Sequence, residues 1–267
     1  MPCANCGKIL YVPVCPDCGT PAEAPTDAHV GPPPSPPPSP SPGGSPRPVR
    51  GWGCAAMAAV GLSMLLDLVG TLALVLLAFL LDRMSGAGRA DVIGWYVTIT
   101  NLASRAGEVI FVIAAVLVII WLYRARRNLD AFGLPATMRA GWAIGGWFVP
   151  FVNLVVPVRV MLDVGRKSAI RRAGALTGIW WAAWLGSYVA DALAFVDYSH
   201  FVYGTSAELA APFWHIVQRM LPGTCLGLLA GLALIALISR ISRAQQILIS
   251  RGAARSESTG AVSSYPA

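Results

Sequence analysis

Residues Gly141–Pro157 read G-W-A-I-G-G-W-F-V-P-F-V-N-L-V-V-P. The stretch is apolar enough for a bilayer, yet Pro150 and Pro157 each remove a helix donor and clash with the preceding turn. From Trp142 to Pro157 there are only 16 residues, against the roughly 20 of a straight crossing. Whether this segment crosses or turns back decides how many spans the chain has and on which side each loop lies. Irregular backbone at membrane depth is tolerated only where protein or water covers it, so a segment that dips and returns is expected to pack among neighbouring helices.

The flanking sequence supplies those neighbours. The chain has 267 residues, 55% of them apolar and 12% charged, about half the charged fraction of a soluble globular domain, roughly 25%. That composition excludes an ordinary soluble enzyme and a largely disordered chain. Four apolar runs are long enough to cross or nearly so: Cys54–Leu81, Val109–Tyr123, about Gly174–Val196, and about Leu221–Ile238. The Asp82–Gly107 stretch between the first two reads as a polar connection with a short interfacial turn over Val92–Leu102.

Charge orients the spans. With four crossings, a dip at Gly141–Pro157 and a cytoplasmic N-terminus, the inside faces hold Lys8, Arg47 and Arg50, then Arg124, Arg126, Arg127 and Arg139. They also hold Arg159, Arg166, Lys167, Arg171 and Arg172 after the dip, and Arg240, Arg243, Arg251 and Arg255 in the tail. The outside keeps Arg83, Arg89, Arg105 and Arg219, so 16 of the 20 basic residues lie inside, as the positive-inside rule requires. A full crossing by the Pro-containing segment would export the cluster after it. The expected architecture is therefore an all-α polytopic membrane helix bundle in the inner membrane, with four spans plus one re-entrant or interfacial segment and both termini cytoplasmic. The formal charge of +7 is a topology signal on this reading.

Outside the bundle the chain changes character. Residues 1–20 contain Cys3, Cys6, Cys15 and Cys18, two C-x-x-C pairs each followed by glycine. Paired thiolates on tight turns chelate opposite edges of a tetrahedral metal, and glycine tolerates the positive φ such a knuckle needs. The spacing predicts a small zinc ribbon with Zn2+ in a structural role, because four thiolates leave no open coordination position. Disulfides or a redox C-x-x-C are the competing readings; a reducing cytoplasm and the absence of a thioredoxin-like βαβ pattern argue against both. Residues 21–50 carry Pro at 12 positions and read as a disordered, extended tether. No apolar secretory segment precedes them. The domains expected are thus 1–20 ribbon, 21–50 linker, 51–239 transmembrane domain, and 240–267 a basic amphipathic or disordered tail, with Ile241, Ala244 and Leu248 at helical spacing.

Polar residues at membrane depth are the remaining candidates. Asp67 falls near the middle of the first span, where an acid costs about 2.5–3.5 kcal/mol; it is either a proton or cation relay, or an acid satisfied within the bundle. Asp191 and Asp197 read as interfacial, and Cys54 and Cys225 as small packing residues. Gly223/Gly227 and Gly141/Gly145 have the small-x-x-x-small spacing of close helix packing, which leaves self-association open. His29, His200 and His215 have no ligand spacing, and no nucleophile elbow, phosphate loop or dinucleotide fingerprint is present.

W-L-Y-R-A-R-R-N at Trp121–Asn128, followed by the Gly141–Val164 stretch, resembles the actinobacterial membrane family of domain of unknown function 4328, over about Val60–Gln246. The resemblance implies an integral membrane core, often joined to a proline-rich or zinc-ribbon N-terminus, and no assigned activity or catalytic residues. Its signature maps onto Arg124, Arg126, Asn128, Trp142, Trp147, Pro150, Asn153, Leu154 and Pro157. Physically, Asn153 is expected to satisfy backbone groups freed by the two prolines, and Trp142 and Trp147 to anchor the dip at the interface. Arg124 and Arg126 are expected to pair with Asp163 and fix the hairpin. The function expected is a non-enzymatic scaffold or regulator in the lipid bilayer whose ribbon recruits a cytoplasmic protein. Lys8 beside Asp17 gives the ribbon no basic surface, which argues against nucleic acid. The alternative is a small transporter or channel component with Asp67 and Gly141–Pro157 lining a path.

Overall fold

A computed structural model describes residues 45–84, 88–203 and 214–263, all within the unit Pro42–Ala267. The expected ribbon with Cys3, Cys6, Cys15 and Cys18, most of the linker, and the last residues of the tail lie outside the described residues. Those described form helices and no strands. The helices are α1 (Arg50–Arg83), α2 (Gly88–Ala131), α3 (Trp142–Gly145), α4 (Val156–Lys167), α5 (Ala173–Tyr203) and α6 (Trp214–Ser263), with a 3-10 turn at Val152–Leu154.

Three of these are long and apolar enough to cross a membrane: α1, α2 from Asp91, and α6 as far as Gly252. Their residues are rich in good helix formers, and α1 and α2 contain no proline. Most of their apolar surface points outward, as at Leu65, Val69, Leu72, Val112 and Leu232. A soluble protein does not expose apolar area on that scale; lipid is the solvent that fits it. Among the described residues, α5 is not one of these three.

Two boundaries differ from the sequence-based expectation. The polar connection expected over Asp82–Gly107 is mostly helix: α2 runs unbroken for 44 residues, about 66 Å at ~1.5 Å per residue. Gly94 and Gly107 weaken such a helix without stopping it. At the other end, α6 passes through residue 240 without a break. Ile241 and Gln245 are fully buried, so the start of the expected tail is part of the core.

The long helices pack in the order α2, α1, α6, α5, and α4 bridges α2, α5 and α6. At one end Gly53 of α1 lies against Trp121 of α2 and Ser242 of α6. At the other, Leu74, Leu77, Ala78 and Leu81 of α1 pack with Ile216 and Val217 of α6 and with Val92, Ile93 and Tyr96 of α2. α1 is therefore antiparallel to both neighbours. The register gathers the start of α1, the end of α2 and the far part of α6 at a single end, which carries Arg50, Arg124, Arg127, Arg240 and Arg243.

Candidate functional site

The basic end is tied by side-chain amides. Asn128, 2% exposed, receives the Arg47 N–H on Oδ1 at 2.9 Å and donates from Nδ2 to the Arg47 carbonyl at 2.9 Å. It also donates to Gln245 Oε1 at 3.1 Å. Gln245 in turn donates to the Ala125 carbonyl at 2.9 Å and Ser168 Oγ at 3.4 Å. One turn away, Trp121 Nε1 donates to Ser242 Oγ at 3.0 Å. Buried amides are costly unless satisfied, and this connected set joins the chain before α1 to α2, α6 and the end of α4. Val49, fully buried, completes the docking of the segment that precedes α1.

A second group grips the loop between α2 and α3. Arg126 donates from Nε to the Met138 carbonyl at 2.9 Å, adds a second contact to it from Nη2, and pairs through Nη1 with Asp130 at 2.8 Å. Asp163 on α4 accepts the Thr137 N–H at 3.1 Å and pairs with Lys167 at 3.6 Å. The expected pairing of Arg124 or Arg126 with Asp163 is therefore not formed. Arg124 instead stacks over the Trp52 ring, 5.0 Å from its centroid. The reason is the intervening loop: its polar backbone at Thr137 and Met138 takes up the side chains of Asp163 and Arg126, so these two charges are linked through the loop and not to each other.

The decisive segment is a broken hairpin. α3 has four residues, the 3-10 turn three and α4 twelve; twelve helical residues span about 18 Å, short of a ~30 Å hydrocarbon core. Pro157 sits in the first turn of α4, where its missing N–H costs nothing. Phe151 adopts φ 62°, an uncommon conformation for a residue with a Cβ. Gly146 allows close approach: a Cβ there would fall 2.8 Å from the Trp142 carbonyl oxygen and collide with Val156.

Trp181 of α5 donates its indole N–H to the Leu154 carbonyl at 3.0 Å. Trp147 meets Trp181 and Trp184 edge-on at 6.4 and 6.5 Å, and those two stack at 4.9 Å. One expectation is corrected here. Asn153 is half-buried and, among the described residues, makes no side-chain hydrogen bond; the freed carbonyl is satisfied by Trp181, which the aromatic run on α5 places opposite it. Trp147 is half-buried in this aromatic stack, and its indole N–H has no partner among the described residues. Trp142 and Pro150 are exposed. Trp181 lies eight residues into α5, so the hairpin tip reaches about 12 Å along that helix.

Asp67 stands apart from the hairpin, exposed on α1. It lies within electrostatic reach of Asp191 on α5, and one turn on Thr71 Oγ1 meets Thr224 Oγ1 of α6 at 2.9 Å. Asp191 itself packs closely over Gly223 of α6. Gly223 and Gly231 are thus occupied within the chain, by Asp191 and by Met64, while Gly227 has open space. Cys54 and Cys225 are exposed and do not pack in the core. Among the described residues, no three His, Cys, Asp or Glu side chains gather as a metal site.

Residues 85–243 match the family described as Domain of unknown function (DUF4328). The chain belongs to this family. The matched region of this DUF4328 protein takes in the broken hairpin, Asn128 and Ser242, and leaves out α1 and Gln245, although both are integral to the packing. No curated protein and no solved structure matches the chain.

Sequence reading missed Gln245 and Ser242, and it read Asp191 as interfacial without its neighbour Asp67. Gln245 falls in what reads as a basic tail, and its apolar neighbours at helical spacing are the one signal of a buried face. Asp191 becomes a neighbour of Asp67 only through the register in which α1 and α5 both pack on α6.

Proposed function

We propose that this protein is a non-enzymatic, multi-pass inner-membrane anchor. In it α5 makes a fourth crossing, Gly141–Pro157 is re-entrant, and both termini are cytoplasmic. Cys3, Cys6, Cys15 and Cys18 hold a structural zinc ion, and the ribbon they form recruits a cytoplasmic protein through the proline-rich tether. The observation that carries the reading is the double hydrogen bond between Asn128 and the Arg47 backbone. It supports a tether whose root is held by the membrane core at the end where the basic residues concentrate, as an anchored recruitment arm requires. The re-entrant placement is supported by the short α4 and by the depth at which Trp181 holds Leu154.

The test is to capture cytoplasmic proteins on the full chain and on a Cys3→Ser/Cys6→Ser variant while measuring bound zinc. About one zinc per chain in the wild type, with the loss of a partner and the metal together in the variant, is expected. A partner retained without zinc overturns the recruitment role of the ribbon.

A second reading, a small transporter, is favoured by one observation: Asp67 has a second carboxylate, Asp191, in its electrostatic neighbourhood, beside the paired hydroxyls of Thr71 and Thr224. Acids placed together at membrane depth are the usual material of a cation or proton path. Loss of function on Asp67→Asn with the ribbon intact would favour it over recruitment.

A further inference from the structure

We infer that the hairpin built by α3, the 3-10 turn and α4 binds an anionic phospholipid of the cytoplasmic leaflet, with Arg159 as the headgroup ligand and the Phe148–Phe151 tip against its acyl chains. The inference rests on the re-entrant placement proposed above and is independent of the ribbon.

Three observations carry it. First, the tip is apolar and unsheltered by protein: Phe148 is 74% and Phe151 84% exposed, and Phe151 sits at φ 62° in the turn. Second, Arg159 is exposed and, among the described residues, has no hydrogen-bond or ion-pair partner. Its natural partner four residues on, Asp163, is already engaged by Lys167 and the Thr137 N–H. Third, the depth is intermediate. Gly165 of α4 lies against Ala173 at the start of α5, and Leu154 is held by Trp181, so Arg159 stands between those two levels.

An unpaired guanidinium beside hydrocarbon-seeking side chains calls for an amphiphile with a negative head. Guanidinium groups match phosphate oxygens in geometry as well as charge. Arg166, Arg171 and Arg172, all exposed at the turn between α4 and α5, extend the positive field towards the leaflet surface. A soluble phosphate would satisfy Arg159 but would leave Phe148 and Phe151 uncovered, so the lipid is the occupant that accounts for both.

The test uses the full chain, purified in mild detergent and stripped of lipid. Retention of phosphatidylglycerol and of phosphatidylcholine with identical acyl chains is compared by native mass spectrometry. The wild type is expected to retain phosphatidylglycerol at least about fivefold better, and Arg159→Gln to lose about that factor, the contribution of one basic residue near a membrane surface. Phe148→Ser/Phe151→Ser is expected to weaken retention of both lipids without changing their ratio. Equal retention of the two lipids by the wild type, or an unchanged ratio in Arg159→Gln, overturns the inference. Displacement of phosphatidylglycerol by excess inorganic phosphate also overturns it, in favour of a soluble anion. Should Arg159→Gln not fold, the wild-type ratio and its decline with added salt decide the matter. A topology reporter that places Arg172 outside would remove the re-entrant reading and this inference together, whereas equal lipid retention removes only the inference.

Discussion

The two ends of the helix bundle are held by different physics. At the basic end, Asn128, Gln245, Ser168 and Ser242 are buried and joined by hydrogen bonds that cross from α2 to α6, to α4 and to the chain before α1. At the opposite end, α1, α2 and α6 meet through Leu74, Leu77, Leu81, Ile216 and Val217, with Val92, Ile93 and Tyr96 alongside. Aliphatic contacts are non-directional and tolerate sliding, whereas a connected amide network fixes register. The basic end thus specifies how the helices align, and the far end adds adhesion. Between them, Asp67 and Asp191 stand near one another in a region where α1 and α2 are largely exposed.

The largest effect that separates the two ends is expected from Asn128→Leu. It removes a partner from Gln245 and from both the N–H and carbonyl of Arg47, and groups left unsatisfied in this way cost about 1–3 kcal/mol each. A loss of about 3 kcal/mol in detergent unfolding is expected, with faster amide exchange at residues 45–49. Unchanged exchange there would show that the segment before α1 is held by Val49 packing alone.

Leu77→Ala is expected to cost about 2 kcal/mol, with increased exchange confined to the ends of α1 and α2 that meet there. Exchange that spreads to residues around Asn128 would mean the two ends unfold as one unit, and the contrast between them would lose its meaning.

The smallest effect concerns the loop. Arg126→Gln and Asp163→Asn each release one side of it, and since the two side chains hold different residues their effects should add within about 0.5 kcal/mol. A coupling energy above ~1 kcal/mol would mean that the two side chains pair directly.

Much of this architecture can be read from composition and proline placement. The apolar runs, the basic clusters and the two prolines of Gly141–Pro157 lead to a helical membrane domain with a broken segment, and α1, α2 and α6 follow that reading. What could not be read is pairwise. The continuity of α2 through Asp91, Arg105 and Glu108 is decided by the absence of a breaker more than by hydropathy. Trp181 is an unremarkable aromatic on a helix until the hairpin brings Leu154 to it, and Asn153, the obvious polar candidate between two prolines, is bypassed. Arg126 and Asp163 are correctly placed beside the hairpin, yet each finds backbone before it finds the other. Gln245 is hidden because a long helix continues past its apolar run.

The central claim is that Gly141–Pro157 turns back, leaving the basic residues on either side of it on one face of the membrane. Reporters fused after Arg139, after Arg172 and within the connection between α1 and α2 test it directly. The account predicts cytoplasmic exposure after both Arg139 and Arg172, with external exposure between α1 and α2. Opposite exposure after Arg139 and Arg172 would make the segment a full crossing and contradict it.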